Sequence, residues 1–284
     1  VGRFFCGYWF DIEENWLCDM YRAKQITVQL NSKTILENLN AHFDSGELCA
    51  VLGPNGAGKT SLLKALIGDL PISNGIIHFA DRPLREWTIK DIARIRGVLP
   101  QNSRLNFPFT VRDVIEMGRF PHRTTREYNH QVVMETAELC DCSDLLDRSF
   151  LQLSGGEQQR IQIARVLAQI WKNEMEMPGF LFLDEPVSSL DISHQYRIMQ
   201  MLGEIAGQKN IGIVCVIHNL NLAAQSVDRC LILDEGRLVA DGKPAHVFTE
   251  ETISNVFDID IWIREHPEDS NIPFIIPKLK NVLE

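Results

Sequence analysis

No apolar run in this sequence approaches the ~20 residues that a membrane-spanning helix requires. The longest runs, such as residues 211–217, are far shorter, so the chain is not expected to cross a bilayer by itself. Positive charge is also scarce. The 28 Lys and Arg stand against 38 Asp and Glu, a net charge of −10. That balance argues against free nucleic-acid binding, which needs basic surface to neutralise phosphates. Cysteines are few and scattered: Cys6, Cys18, Cys49, Cys140, Cys142, Cys215 and Cys230. Their number is odd, no C-x-x-C occurs, and the C-x-C at Cys140 and Cys142 has no partner at zinc-like spacing. They read as small buried hydrophobes in a reducing cytosol. There is no glycine period, sustained heptad, internal repeat or low-complexity segment. What remains is a globular chain of 284 residues, 45% apolar and 23% charged, long enough for one large or two small domains. It can bury a core without disulfides or metals.

Residues 1–19, VGRFFCGYWFDIEENWLCD, are rich in aromatics and acids. They lack the basic stretch and apolar run of a signal peptide. Met20 reads as the natural start and the preceding stretch as a poorly ordered extension; the rival reading is a membrane-surface or partner-binding tail. Residues 25–30 then read as a strand, Asn31-Ser32 as a turn, and 34–36 and 39–43 as two further strands. After a turn at Ser45-Gly46, residues 47–52 form a short apolar run typical of a buried strand. A glycine-rich loop and a helix over 60–67 follow, with Gly68 placed to close the helix. From about 100 to 170 the apolar spacing changes to three and four, which predicts a helical insertion. Residues 180–183, 211–217 and 230–233 read as buried strands, and 231–233 with 237–240 as a hairpin about Asp234-Glu235-Gly236. Residues 256–263 are expected to pair with 274–276 around HPEDSNIP. Strands alternating with helices give an α/β class.

Residues 53–60 read GPNGAGKT, matching G-x-x-x-x-G-K-[ST] between a strand and a helix. Glycines let backbone N–H groups curl around phosphate oxygens, and the helix N-terminus adds partial positive charge. The phosphate-cradling set is Gly53, Pro54, Asn55, Gly56, Ala57, Gly58, Lys59, Thr60 and Ser61. Lys59 is placed to reach the β- and γ-phosphates, and Thr60 to offer its hydroxyl to Mg²⁺. Residues 180–186 read FLFLDEP: a buried strand that ends in two carboxylates. Asp184 suits Mg²⁺. Glu185, pointing differently one residue on, suits a general base that polarises an attacking water. Residues 153–160 read LSGGEQQR ahead of a helix. Ser154, Gly155 and Gly156 make a second phosphate cradle. One ATP does not need two cradles from one chain, so the economical arrangement is two chains, each lending this segment to the other's nucleotide.

With these strings in place, the chain resembles the ATP-binding subunits of ATP-binding cassette (ABC) transporters over about residues 20–277. The resemblance implies a P-loop NTPase core with a mixed sheet, an N-terminal antiparallel β subdomain and an inserted helical subdomain, followed by a tail at 278–284. It implies that Gln101 senses the γ-phosphate and reaches the metal with Thr60 and Asp184. It implies that Asp191, in the string Ser188-Ser189-Leu190-Asp191, lies on a loop crossing a homodimer interface, and that His218 contacts the γ-phosphate. The catalytic set is then Glu185, His218, Gln101 and Lys59. The family's adenine-stacking aromatic is missing: Val28-Gln29-Leu30 offers only the apolar Leu30, and Tyr21 lies too far upstream.

Residues 99–111 (LPQNSRLNFPFTV) and 115–122 (IEMGRFPH) are similar to importers of heme, ferric siderophores and vitamin B12. The extra loop WKNEMEMPG at 171–179 makes the hemin-import ATPases the most similar group. The implied partners are a membrane permease dimer and, indirectly, a periplasmic or extracellular heme-binding protein. The implied place is the cytoplasmic face of the inner membrane, as a peripheral subunit. Met175, Met177, His246 and His266 read as ordinary residues, the methionines at the surface, because cargo crosses through the membrane partners. DNA-repair and translation ATPases of the superfamily fit poorly: the chain has no long coiled-coil insertion and each motif occurs once. A nonhydrolytic nucleotide-dependent scaffold is the rival from another class, and Glu185 and His218 argue against it.

Overall fold

The computed structural model describes residues 21–101, 105–173 and 175–278. The extension at 1–19, Met20, Cys6 and Cys18 lie outside the described residues, as does all of the 278–284 tail except Lys278. The chain opens with β1 (Tyr21–Leu30) and β2 (Lys33–Phe43), an antiparallel hairpin turning at Asn31-Ser32. Where the sequence suggests two strands, β2 is one. The polar pair Glu37-Asn38 marks an irregularity rather than a strand end. Asn38 takes φ 48°, and its N–H donates to Thr27 Oγ1 at 3.2 Å. A shift of register there, from Ile26 opposite Leu39 to Val28 opposite Leu36, absorbs the break in alternation without ending the pairing.

After β3 (Leu48–Leu52) come β4 (Asn74–Phe79), β5 (Arg82–Pro83), β6 (Arg96–Leu99), β7 (Phe180–Asp184), β8 (Gly212–Val216), β9 (Arg229–Asp234) and β10 (Arg237–Gly242). The first sheet has the order β2-β1-β4-β5 and is antiparallel throughout. The second has the order β10-β9-β3-β8-β7-β6. Its β9, β3, β8, β7 and β6 run parallel, and β10 adds an antiparallel edge. The expected mixed sheet is therefore present, with the antiparallel sheet ahead of it.

Period-two alternation divides the buried strands between two cores. Cys49, Val51, Phe180, Phe182, Val214 and Val216 face the antiparallel sheet and helix Lys59–Leu66. Leu48, Ala50, Leu52, Leu181, Leu183, Ile213 and Cys215 face the other way, toward helices Gly155–Ile170 and Ile192–Lys209. The stretch between β6 and β7 carries helices Val111–Glu116, Arg126–Leu139 and Gly155–Ile170, packed on this second core. The five described cysteines, Cys49, Cys140, Cys142, Cys215 and Cys230, are all buried and free.

Two further sequence expectations change. Val256 and Phe257 belong to helix Glu250–Phe257, not to a strand. Thr249 caps that helix, and Ile253 and Val256 bury its inner face; the apolar alternation Phe257, Ile259, Ile261, Ile263 runs across the helix end and so reads as one strand. Only β11 (Ile261–Glu265) pairs with β12 (Pro273–Pro277). Met175 and Met177 are not surface residues: both are half-buried against the antiparallel-sheet core. Asn173 turns the loop inward, accepting from Met175 N at 3.1 Å and donating to Met177 O at 2.8 Å.

Candidate functional site

Sheet order assembles the site. Strands β3, β8, β7 and β6 are consecutive neighbours and parallel, so their carboxyl ends share one edge. From those ends emerge the glycine loop, His218, Asp184-Glu185 and Gln101 in turn. The carboxyl edge of an open parallel sheet is where α/β folds bind ligands.

The glycine loop joins β3 to helix Lys59–Leu66. Gly53 has φ 145°, and a Cβ there would lie 2.2 Å from Leu233 O. The loop can pass under β9 only because that carbon is missing. Lys59 is buried at 6% exposure. Its Nζ donates to Gly53 O at 2.8 Å and to Pro54 O at 2.7 Å, which leaves its third donor for a phosphate oxygen. Burial lowers its pKa, against the pull of Glu185 and Asp184. Pro54, Asn55, Gly56, Ala57 and Gly58 complete the curl, and Thr60 and Ser61 follow in the helix's first turn.

Asp184 closes β7, and Thr60 Oγ1 donates to its Oδ1 at 3.2 Å. Burial raises the Asp184 carboxyl, with the Thr60 hydrogen bond opposing. A buried carboxylate beside a hydroxyl is a hard-oxygen donor pair. It suits Mg²⁺, which takes one or two protein ligands and completes its shell with phosphate and water. No cluster of three or more His, Cys, Asp or Glu that could hold a metal occurs among the described residues.

Glu185 takes φ 54°, which turns it away from Asp184. His218 Nε2 lies 2.6 Å from Glu185 Oε1. Burial raises the Glu185 carboxyl, but hydrogen bonds from His218, Gln101 and Ser188 bring it below the ordinary range. It is a carboxylate at neutral pH. Gln101, expected at the metal, hydrogen-bonds Glu185. The side chains of Glu185 and His218 are 17% and 41% exposed, so water reaches the pair.

The second cradle opens the helix Gly155–Ile170. Ser154 caps helix Gly155–Ile170 in a capping box with Glu157, Ser154 Oγ to Glu157 Oε2 being 2.7 Å. Among the described residues no hydrogen bond joins residues 154–156 to the glycine loop. Nothing lies within 4 Å of a Cβ built on Gly155. Asp191 caps helix Ile192–Lys209, and hydrogen bonds from His194 hold its carboxyl down to about 2. Leu30 is exposed at the tip of the β1–β2 hairpin. Tyr21 is fully buried among Phe79, Phe180 and Phe182, with ring centroids 4.7 to 5.2 Å away, and is a core residue.

Sequence reasoning does not single out His194 or Gln195. Gln195 Nε2 donates to Val187 O and Leu190 O, both at 3.1 Å, and so fixes the loop after Glu185. Their only signal is position in the first turn after the cap Asp191, a place where most residue types occur.

Residues 36–188 match the family model described as ABC transporter. The chain is 41% identical to the Hemin import ATP-binding protein HmuV of Escherichia coli O157:H7, over 90% of this chain and 99% of that protein. It is 40% identical to the Hemin import ATP-binding protein HmuV of Hahella chejuensis, over 87% of this chain and 96% of the other. Among solved structures, an inward-facing ABC transporter described as of metal-chelate type superposes with a TM-score of 0.79 and 25% identity. That match covers 94% of this chain and all of the other.

Proposed function

The chain belongs to the ABC transporter family, and from that premise we propose that it is the ATP-hydrolysing subunit that energises hemin import through a membrane permease. Hydrolysis by this family member is carried by one observation: a solvent-reached carboxylate, Glu185, held by His218 beside the glycine loop. The cargo rests on the two hemin-import relatives, which match nearly their full length. No helix among the described residues is long and apolar enough to cross a membrane. Peripheral attachment at the cytoplasmic face, through a permease dimer, agrees with that.

The functional unit is a homodimer holding two ATP. In each site residues 53–61 and Asp184 come from one chain, and Ser154, Gly155 and Gly156 from the other, next to its Asp191. The exposed Gly155, open to a second chain, supports this reading. Lys59 and the loop N–H groups hold the β- and γ-phosphates. Thr60 and Asp184 would hold Mg²⁺, which when bound would supply positive charge against the phosphate oxygens. Glu185, ionised at neutral pH, orients water and accepts its proton. His218 fixes the Glu185 carboxylate, and Gln101 adds a second hold on it. Closure and reopening of the dimer pass through the helical segment at about 100–170 to the permease. A periplasmic or extracellular heme-binding protein delivers the cargo. Nucleic acid has no part in the cycle.

The test has two arms. Glu185→Gln is expected to bind ATP, scarcely turn it over and accumulate as a closed dimer; ordinary steady-state turnover would overturn the role of Glu185. Deleting the gene should abolish growth on hemin as iron source, restored by wild type and not by Glu185→Gln. Loss on a ferric siderophore or vitamin B12 with normal hemin use would move the protein to a sister group.

A further inference from the structure

Gly156 is buried where its neighbour Gly155 is open. The cause is one side chain. A Cβ on Gly156 would lie 2.8 Å from His194 Cδ2 and 3.3 Å from both Cγ and Nε2. The imidazole therefore lies against the bare backbone of the second cradle. Its other edge is anchored: His194 Nδ1 is 2.8 and 2.9 Å from the two Asp191 carboxylate oxygens. Asp191 in turn accepts from the His194 backbone N–H at 3.0 Å and from Ser193 Oγ at 3.1 Å. The ring is fixed on the loop that leads back to Glu185, and Gln195 ties that loop down. Glu185, the loop at 186–191, His194 and Gly156 make one continuous line of contacts.

We propose that His194 is a positioning residue that sets the cradle at 154–156 relative to the same chain's Glu185, and so registers two nucleotide sites against each other. The inference rests on the two-chain reading above. In that arrangement the cradle serves the partner's ATP while Glu185 serves its own. Among the described residues the hydrogen bonds of His194 go to Asp191, not to Glu185. Because its ring occupies the space a Gly156 side chain would need, the cradle's approach to the helix is set by the ring and not by a flexible side chain. Removing the ring lets the cradle drift, and misplacement of a contact by about 1 Å is costly in a preorganised site.

The test uses the full chain in the Glu185→Gln background, reading ATP-dependent dimer formation by light scattering. Glu185→Gln alone should dimerise. Adding His194→Ala should raise the ATP concentration needed roughly tenfold or more. Fluorescent-nucleotide binding to the single subunit and its melting temperature should both stay unchanged. His194→Asn keeps a donor for Asp191 and fills part of the Gly156 face, so it should recover much of the loss. Dimerisation of the His194→Ala variant at unchanged ATP would overturn the proposal. So would loss of single-subunit binding or melting temperature in step with loss of dimer, which marks a merely structural role. A monomeric Glu185→Gln control would overturn the two-chain reading itself, and this proposal with it.

Discussion

His218 Nε2 stands 2.6 Å from Glu185 Oε1, joining the carboxyl ends of β8 and β7, which are neighbours in the sheet. The contact spans 33 residues of sequence and is made by side chains at two strand ends. Losing the imidazole leaves Glu185 charged and loosely held. His218→Ala should lower turnover on the order of 10²–10³-fold while nucleotide still binds. Steady-state phosphate release set beside a fluorescent-nucleotide titration checks both halves; equal loss in the two would place His218 in binding instead.

Lys59→Ala should weaken ATP binding roughly 10–100-fold, the worth of a charge-assisted contact to phosphate. Calorimetric titration of the isolated subunit reads this directly. Unchanged affinity would remove Lys59 from the phosphate site.

Asp184 is ionised at a cost, since burial raises its pKa above the ordinary carboxylate range. Asp184→Asn should therefore raise the melting temperature at neutral pH while abolishing Mg²⁺-dependent turnover. The sign with pH follows from the raised value. The native carboxyl takes up its proton more readily folded than unfolded, so wild type gains relative stability as pH falls through the folded value. The gap between the two proteins should close on acidification. Paired melts at pH 7 and about pH 4 test it, and a gap that widens would contradict the cause assigned to the shift.

Gly53→Ala places a methyl 2.2 Å from Leu233 O at φ 145°, and should cost roughly 2–4 kcal/mol. Gly56→Ala has φ 85° but open space around it, and should cost only about 1 kcal/mol. Urea unfolding of the two variants separates backbone strain from collision. Equal losses would show that the approach of β9 is not what requires glycine at position 53.

Ser154→Ala removes a capping box whose two halves are both present in the structure. Helix stability should fall by about 1 kcal/mol. Burst-free ATP turnover should fall much further if Ser154 also meets the partner's phosphate. A purely structural cap would lose both in the same small measure.

Contiguous strings carried most of the chemistry. GPNGAGKT, LSGGEQQR and FLFLDEP each encode a local geometry, loop into helix or strand into carboxylates, which short-range sterics and hydrogen bonding enforce. The parallel strands were legible for the same reason, since runs such as residues 180–183 and 212–216 are apolar on both faces. Elements of ambiguous period were not: the alternation Phe257, Ile259, Ile261, Ile263 carries a strand pattern back over the end of a helix, and β2 looks broken where it is only irregular. The methionines of residues 171–179 read as surface because nothing local shows that Asn173 folds them onto a core.

The sequence by itself determined that a phosphate loop, a pair of carboxylates and a second cradle exist, because each is made by neighbours along the chain. Only the tertiary structure decided that β3, β8, β7 and β6 lie side by side. That order puts Lys59, His218, Glu185 and Gln101 on one edge, brings Thr60 to Asp184, and sends Tyr21 into the core. It also sets His194 against Gly156. The physical reason is that strand order and packing minimise exposed apolar surface across the whole chain, a collective property that no local string contains.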